Sequence, residues 1–294
     1  MPIYLTKKYE IGHGTDGSVY YVPKKLLKTN KEVLFKLYHN RTPIYNGHGE
    51  IDEDGVRIYN KSTLQTIDYT EPISYFSDTE EIRLRSKDAI YKAIERQKNV
   101  YLTDLPKCPI FVNGHFQGCE LKKQYGKQIH YLTSLSIKKK LKIWKAITIK
   151  VQELLENNIY PTELDNSPFT KAVYKNEFGE YEVRFGHSHI LVTHSLIPSL
   201  IDLDGKSTIY TEHFSDTYYT KVIRAYNTLL IEFLFTIPLE ELGKEMDGEN
   251  QLEMKLEEVG VPHKYLEALS SLSLNLDNAN DLMLCNFSKQ KKFY

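Results

Sequence analysis

The 294-residue chain is 41% hydrophobic and 26% charged, the composition of an ordinary globular protein long enough for one two-lobed unit. Its 38 basic and 39 acidic residues give a formal charge of -1, so no global basic field argues for nucleic acid; Lys138-Lys139-Lys140 and Lys289-Gln290-Lys291-Lys292 read as solvated faces or tails. Cys108, Cys119 and Cys285 lack C-x-x-C spacing, which argues against a disulfide framework or a zinc cluster and suits a reducing cytoplasm, and no apolar run approaches the ~18 residues of a membrane span.

The first element is the stretch Ile11-Gly12-His13-Gly14-Thr15-Asp16-Gly17-Ser18-Val19-Tyr20. A G-x-G-x-x-G triplet that opened a helix would suggest a dinucleotide site, but Ser18-Val19-Tyr20-Tyr21-Val22 is β-branched and aromatic and predicts a strand instead. A second predicted strand, Val33-Leu34-Phe35-Lys36-Leu37-Tyr38, carries one charge in an apolar run. By itself Lys36 could simply snorkel from an edge strand beside a glycine-rich hairpin. Taken together, the glycine triplet, Val19 and Leu34-Phe35-Lys36 resemble the opening of the protein-kinase-like fold. That resemblance implies that Ile11, Gly12, Gly14, Gly17, Val19 and Lys36 line a nucleotide, with Lys36 on its phosphates.

From His39 to Ser77 the chain is rich in Asn, Gly, Asp and Thr. Within it Glu50 to Asn60 predicts a hairpin turning at Asp54-Gly55, without the ligand series of an EF-hand. Helical periodicity begins near Asp78 and runs through Ile82, Leu84, Ala89, Ile90, Ala93 and Ile94 to Glu95. In the kinase resemblance this helix supplies the acidic partner of Lys36. Asp88 falls nearest the expected place, and Glu81 and Glu95 compete with it.

Pro109 to Val112 and Gly118 to Leu121 predict a hairpin around Asn113-Gly114. The resemblance makes the following segment a hinge, where backbone groups from Glu120 to Lys123 would contact adenine. Ser136 to Asn157 predicts an amphipathic helix with Leu141, Trp144, Ile147, Val151, Leu154 and Leu155 inward and a lysine-rich outer side, ending where Asn157-Asn158 suits a left-handed cap.

Next comes Ile159-Tyr160-Pro161-Thr162-Glu163-Leu164, at the place where the kinase family carries H-R-D-L. Pro161 then stands at the histidine position and Glu163 at the aspartate position. Glu163 can still orient a hydroxyl, and Asp165 or Asn166 can substitute as acid-base group or metal ligand; the alternative is a plain polar turn. The family's metal-binding Asn becomes Pro168 or His189, depending on whether Lys171 to Phe185 is an inserted hairpin. His187, His189 and His194 are better read as ordinary histidines than as a zinc site. Ser199-Leu200-Ile201-Asp202-Leu203-Asp204-Gly205 reads as an apolar strand ending in carboxylates and resembles the family's D-F-G segment, with Asp202 as the metal ligand and Asp204 auxiliary. The segment up to Asp216 is short for an activation loop. Tyr218 to Pro238 predicts an apolar helix capped near Asp216, whose most apolar run, Leu229 to Pro238, contains Glu232, and two further helices are expected near Leu252 to Val259 and His263 to Leu272.

The resemblance therefore implies an α+β, bilobal protein-kinase-like fold. Its N-terminal antiparallel-sheet lobe with one helix would span residues 1–124, with an inserted hairpin near 49–60. A mainly helical C-terminal lobe would span 125–294, with an inserted hairpin near 171–186. ATP with Mg2+ or Mn2+ is the implied cofactor, and a nucleotide and a protein or small-molecule acceptor are the implied partners. Neither nucleic acid nor membrane is expected. The degenerate turn leaves two alternatives open: a pseudokinase that binds without turnover, and a small-molecule kinase of the same fold.

Overall fold

The computed structural model describes residues 5, 7–13, 17–27, 32–38, 41–45, 50–51, 57–60, 64–68, 87–101, 105–112, 115–162, 164, 171–175, 181–185, 189–204, 208–237, 239 and 248–285. The chain opens with strands β1 (Glu10–His13) and β2 (Gly17–Val22), the short helix α1 (Lys24–Leu27) and strand β3 (Val33–Tyr38). Four short strands follow: β4 (Arg41–Tyr45), β5 (Glu50–Ile51), β6 (Arg57–Asn60) and β7 (Leu64–Asp68). Helix α2 (Lys87–Arg96) leads to β8 (Cys108–Val112), β9 (His115–Leu121), β10 (Lys127–Gln128), helix α3 (Ile137–Glu156) and β11 (Ile159–Pro161). Strands β12 (Lys171–Lys175), β13 (Tyr181–Phe185), β14 (Ile190–Val192), β15 (Pro198–Leu200) and β16 (Thr208–Tyr210) precede four helices: α4 (Asp216–Leu230), α5 (Gly248–Glu258), α6 (Leu266–Ser270) and α7 (Leu276–Leu282). The architecture is mixed α+β.

Two compact units divide the chain. The first comprises Met1–Gln124, Lys171–Phe185 and Asp202–Ser207; the second comprises Tyr125–Thr170, Gly186–Ile201 and Thr208–Tyr294. At the centre of the first is a five-stranded antiparallel sheet in the order β1-β2-β3-β9-β8. Its β8–β9 pair is the hairpin that Asn113-Gly114 predicts. Helix α2 lies against β8 and buries Ile90 and Ala93, while Val100 and Leu105 are buried beyond its end. Residues 78–86, where the helical pattern was expected to begin, lie outside the described residues.

Gly118 explains why β9 can approach β3 so closely. A Cβ there would stand 2.0 Å from the carbonyl oxygen of Lys36 and 3.0 Å from Leu37 Cα, so any side chain would push the two central strands apart. The predicted hairpins at 49–60 and 171–186 both form, as β5–β6 and β12–β13. They join each other: β12 pairs in parallel with β6, placing Ala172 opposite Arg57, in a four-stranded sheet ordered β13-β12-β6-β5. The second hairpin thus groups with the first unit rather than with the C-terminal half in which the sequence reading placed it.

The second unit is built on α3. Ile143, Trp144, Ile147, Thr148, Val151, Leu154 and Leu155 are buried along it, and each fully buried Ile or Leu contributes roughly 1.5–3 kcal/mol. Leu141 is only half-buried, whereas Lys140, assigned from sequence to a solvated face, is 2% exposed. The reason is the width of the apolar stripe: Lys140 sits one turn before Trp144 and shares its side of the helix. Asn157 forms the C-cap and Asn158 adopts a left-handed φ of 54°, as expected of Asn at a helix end.

Helix α4 begins at Asp216, two residues before the expected Tyr218, and its N-cap is Ser215 rather than Asp216. It ends in a π-helical turn, Ile231–Phe235, in which Glu232 is buried among apolar neighbours. Trp144 Nε1 donates to the Tyr226 hydroxyl at 2.7 Å, Tyr226 lies 2.6 Å from Thr148 Oγ1, and Thr148 donates to the Trp144 carbonyl at 3.0 Å. This closed loop satisfies the side-chain polar groups that Trp144, Thr148 and Tyr226 bring inside. Two small ladders complete the unit, β10-β14-β15 and β11-β16. Gly126 is required beside the first: with φ at 143°, a Cβ would meet the Val192 carbonyl oxygen at 2.5 Å.

Candidate functional site

Register in the five-stranded sheet sets up the site. Gly12 of β1 faces Val19 of β2, Val19 faces Lys36 of β3, and Lys36 faces Cys119 of β9. Residues directly opposite one another project from the same face of a sheet, so a glycine, a valine and a cysteine flank the one cation in this row. Between Glu10 and Gly12 the register slips by one residue on β1, making Ile11 the extra residue of a bulge, and Ile11 is 58% exposed. Such bulges re-aim the chain at sheet edges and beside sites. Tyr38 stands two positions beyond Lys36 and so shares its face.

Lys36 makes ion pairs with both carboxylates of the acidic turn. Its ammonium binds Asp202 Oδ1 directly and Asp204 Oδ1 at 2.9 Å. Asp204 is held from its other side by Tyr38, whose hydroxyl lies 2.8 Å from Asp204 Oδ2 and 3.2 Å from the Asp204 carbonyl oxygen. Cys119 is fully buried, with its Sγ 3.8 Å from the same hydroxyl. Asp202 itself takes a left-handed φ of 63°, a conformation that Asp tolerates better than most side chains.

Burial by itself would lower the Lys36 ammonium's pKa, but the Asp202 and Asp204 carboxylates overcome this and hold it above the ordinary lysine range. For Asp204, burial pushes the carboxyl up, Lys36 pulls it down and Asp202 pushes it up again, leaving it at about 6. Burial, reinforced by the Asp204 charge, also raises the Tyr38 phenol and the Cys119 thiol. The thiol is therefore protonated and inert at neutral pH.

Such a cluster is a poor way to stabilise a fold. Desolvating each ion costs several kcal/mol, and the three charges leave one negative charge uncompensated in a partly buried place. Clusters of this kind, and residues held at unusual φ, concentrate at functional sites.

The other expected residues fall as follows. Gly12, Gly17 and Val19 lie on the two strands bordering the glycine turn, with Gly17 opposite Tyr38. Glu120 sits on β9 opposite Phe35 and accepts the Cys108 thiol at 3.3 Å. Asp88 is in the first turn of α2, while Glu95 is exposed on that helix and lines a shallow surface depression with Tyr91, Ile94 and Lys98. Gly14, Glu81, Glu163, Asp165, Asn166, Pro168 and His187 lie outside the described residues. His189 offers its backbone carbonyl to Ile201 N at 2.8 Å, which fixes the chain just ahead of Asp202. Pro161 is locked in β11 opposite Thr208. Tyr38 is not among the residues expected at the site, although the two-residue period of β3 places it beside Lys36.

Asp202 and Asp204 offer the hard oxygens that Mg2+ or Mn2+ takes, and Mg2+ sites commonly use one or two carboxylates, with water and phosphate filling the remaining positions. No group of three or more His, Cys, Asp or Glu side chains placed to hold a metal occurs among the described residues. Also among the described residues, no helix is long and apolar enough to cross a membrane. No protein-family model matches the chain, and no curated protein matches it in sequence.

Proposed function

We propose that the chain is a divergent kinase-like ATP-binding phosphotransferase. The observation that carries this reading is the pairing of Lys36, on the central strand of a glycine-edged antiparallel sheet, with Asp202, which stands two residues past the short strand β15 far along the chain. The same two residue types, in the same order relative to a glycine triplet, are those the kinase-like fold uses on phosphates and metal.

In this reading Lys36 donates to phosphate oxygens, and the glycine-bearing strands β1 and β2 allow backbone to come close to them. The divalent ion would neutralise charge on the transferring phosphoryl group, with Asp202 as its protein ligand. Glu163 or Asp165 would orient the acceptor hydroxyl. Cys119 keeps a small, uncharged side chain beside the lysine, so the ammonium is the only cation in the row. The acceptor is a protein or a small molecule.

One observation favours a binding module without turnover, a pseudokinase. Pro161 occupies the family's histidine position and is held in a two-stranded ladder, so no imidazole is available to support an acid-base group there.

Thermal-shift titration with ATP and Mn2+, followed by labelled-ATP turnover, tests both readings. A ligand at 100 times its Kd should stabilise the chain by about 2.7 kcal/mol. That shift should disappear in Lys36→Ala and Asp202→Ala. The nucleotide reading fails if the native chain shows no shift, or if both variants keep it. A shift without turnover selects the binding module.

A further inference from the structure

We infer that Asp204, steered by the Tyr38 hydroxyl, is the residue that positions Lys36. In the kinase resemblance that task belongs to an acidic residue on the helix, and Asp204 is expected only as an auxiliary metal ligand. Lys36 meets its carboxylates elsewhere, within the acidic turn itself. Of the described helix candidates, Glu95 is exposed on α2.

The two oxygens of Asp204 have different partners. Oδ1 takes the Lys36 ammonium and Oδ2 takes the Tyr38 hydroxyl, so neither can rotate without breaking a charge-assisted hydrogen bond. Tyr38 is itself held at both ends. Its ring sits 6.0 Å from that of Phe116, and its carbonyl accepts Gln117 Nε2 at 2.7 Å. Asp204 is 3% exposed, so water does not compete for these bonds. Asp202 is different: it shares the Lys36 ammonium but is 29% exposed, so a cation from solvent can reach its carboxylate.

The division of labour follows from this contrast. When Asp202 engages a metal, Lys36 keeps one fixed carboxylate behind it and its remaining protons face outward. The ammonium is thereby set in place by residues of its own sheet and of the acidic turn, whatever the helix does. The consequence for phosphate binding rests on the nucleotide reading; the positioning itself does not.

The experiment uses the full-length chain, Tyr38→Phe and Asp204→Asn, with two readouts. The first is amine acylation by acetic anhydride, followed residue by residue by mass spectrometry without nucleotide. Lys36 should be protected in the native chain and react at least ~10-fold faster in both variants, the size expected from losing one charge-assisted bond. Lys140, buried in the second unit, should keep its native rate. An unchanged Lys36 rate in both variants, or a parallel rise at Lys140 that signals general loosening, overturns the proposal. The second readout is the Kd of ATP with Mn2+ against that of adenosine. Positioning predicts a loss of ~10-fold for ATP and none for adenosine, whereas equal losses for both overturn it. If the native chain binds neither ligand, the nucleotide reading falls and acylation alone decides the positioning.

Discussion

The Lys140 ammonium donates to the Thr236 hydroxyl at 2.8 Å and lies 5.6 Å from the centre of the Phe233 ring. Thr236, at a left-handed φ of 60°, ends the π turn whose Glu232 is also buried. This is a cation taken into the second unit with one neutral partner and one aromatic face. Burial pushes its pKa down to about 8.

Because the folded pKa is below the unfolded value of 10.5, the unfolded chain holds this proton more tightly between the two. The destabilisation is complete below pH 8 and fades as the pH rises toward 10.5. At pH 7 it is on the order of 3 kcal/mol. Lys140→Met should therefore raise the urea midpoint at pH 7, and the difference from the native chain should shrink between pH 8 and 10.5. Equal midpoints at pH 7 would count against it.

Gly118→Ala should destabilise the first unit by at least about 2 kcal/mol, since the added methyl overlaps the Lys36 carbonyl and the backbone of both strands must yield. The same shift displaces Lys36 from Asp204. Chemical denaturation, together with the Lys36 acylation rate, should report both effects in one variant.

Tyr226→Phe removes the hydroxyl that receives the Trp144 indole N–H and faces Thr148. The indole N–H is then left buried without an acceptor, at a cost of about 1–3 kcal/mol. Adding Thr148→Val should not add a full second loss, because both substitutions break the same loop. A double-mutant cycle with a coupling near zero would show that the loop is not cooperative.

Those features that rest on local periodicity or turn chemistry were legible in the sequence. Helix α3 announced itself by the spacing from Trp144 to Leu155, the β8–β9 hairpin by Asn113-Gly114, and the left-handed end of α3 by Asn158. Lys36 and Asp202 were found as isolated charges bordered by apolar residues. What failed to show were features made by meeting partners. Nothing local to Tyr38 says that its hydroxyl will reach Asp204, and nothing around Ala172 says that it will lie opposite Arg57. Lys140 was misassigned because a lysine at the border of a helical stripe is normally solvated, and here the π turn after α4 covers it.

The parallel joining of β6 to β12 also imposes an order of events on synthesis. β6 leaves the ribosome well before its partner exists; at about 5–20 residues per second the wait is roughly ten seconds. During that interval the first hairpin presents an open strand edge, the kind that pairs indiscriminately with other chains. A nascent chain arrested between Asn60 and Lys171 would thus carry an adhesive surface that the finished protein conceals, and translation speed across that window becomes a determinant of how much of the product escapes aggregation.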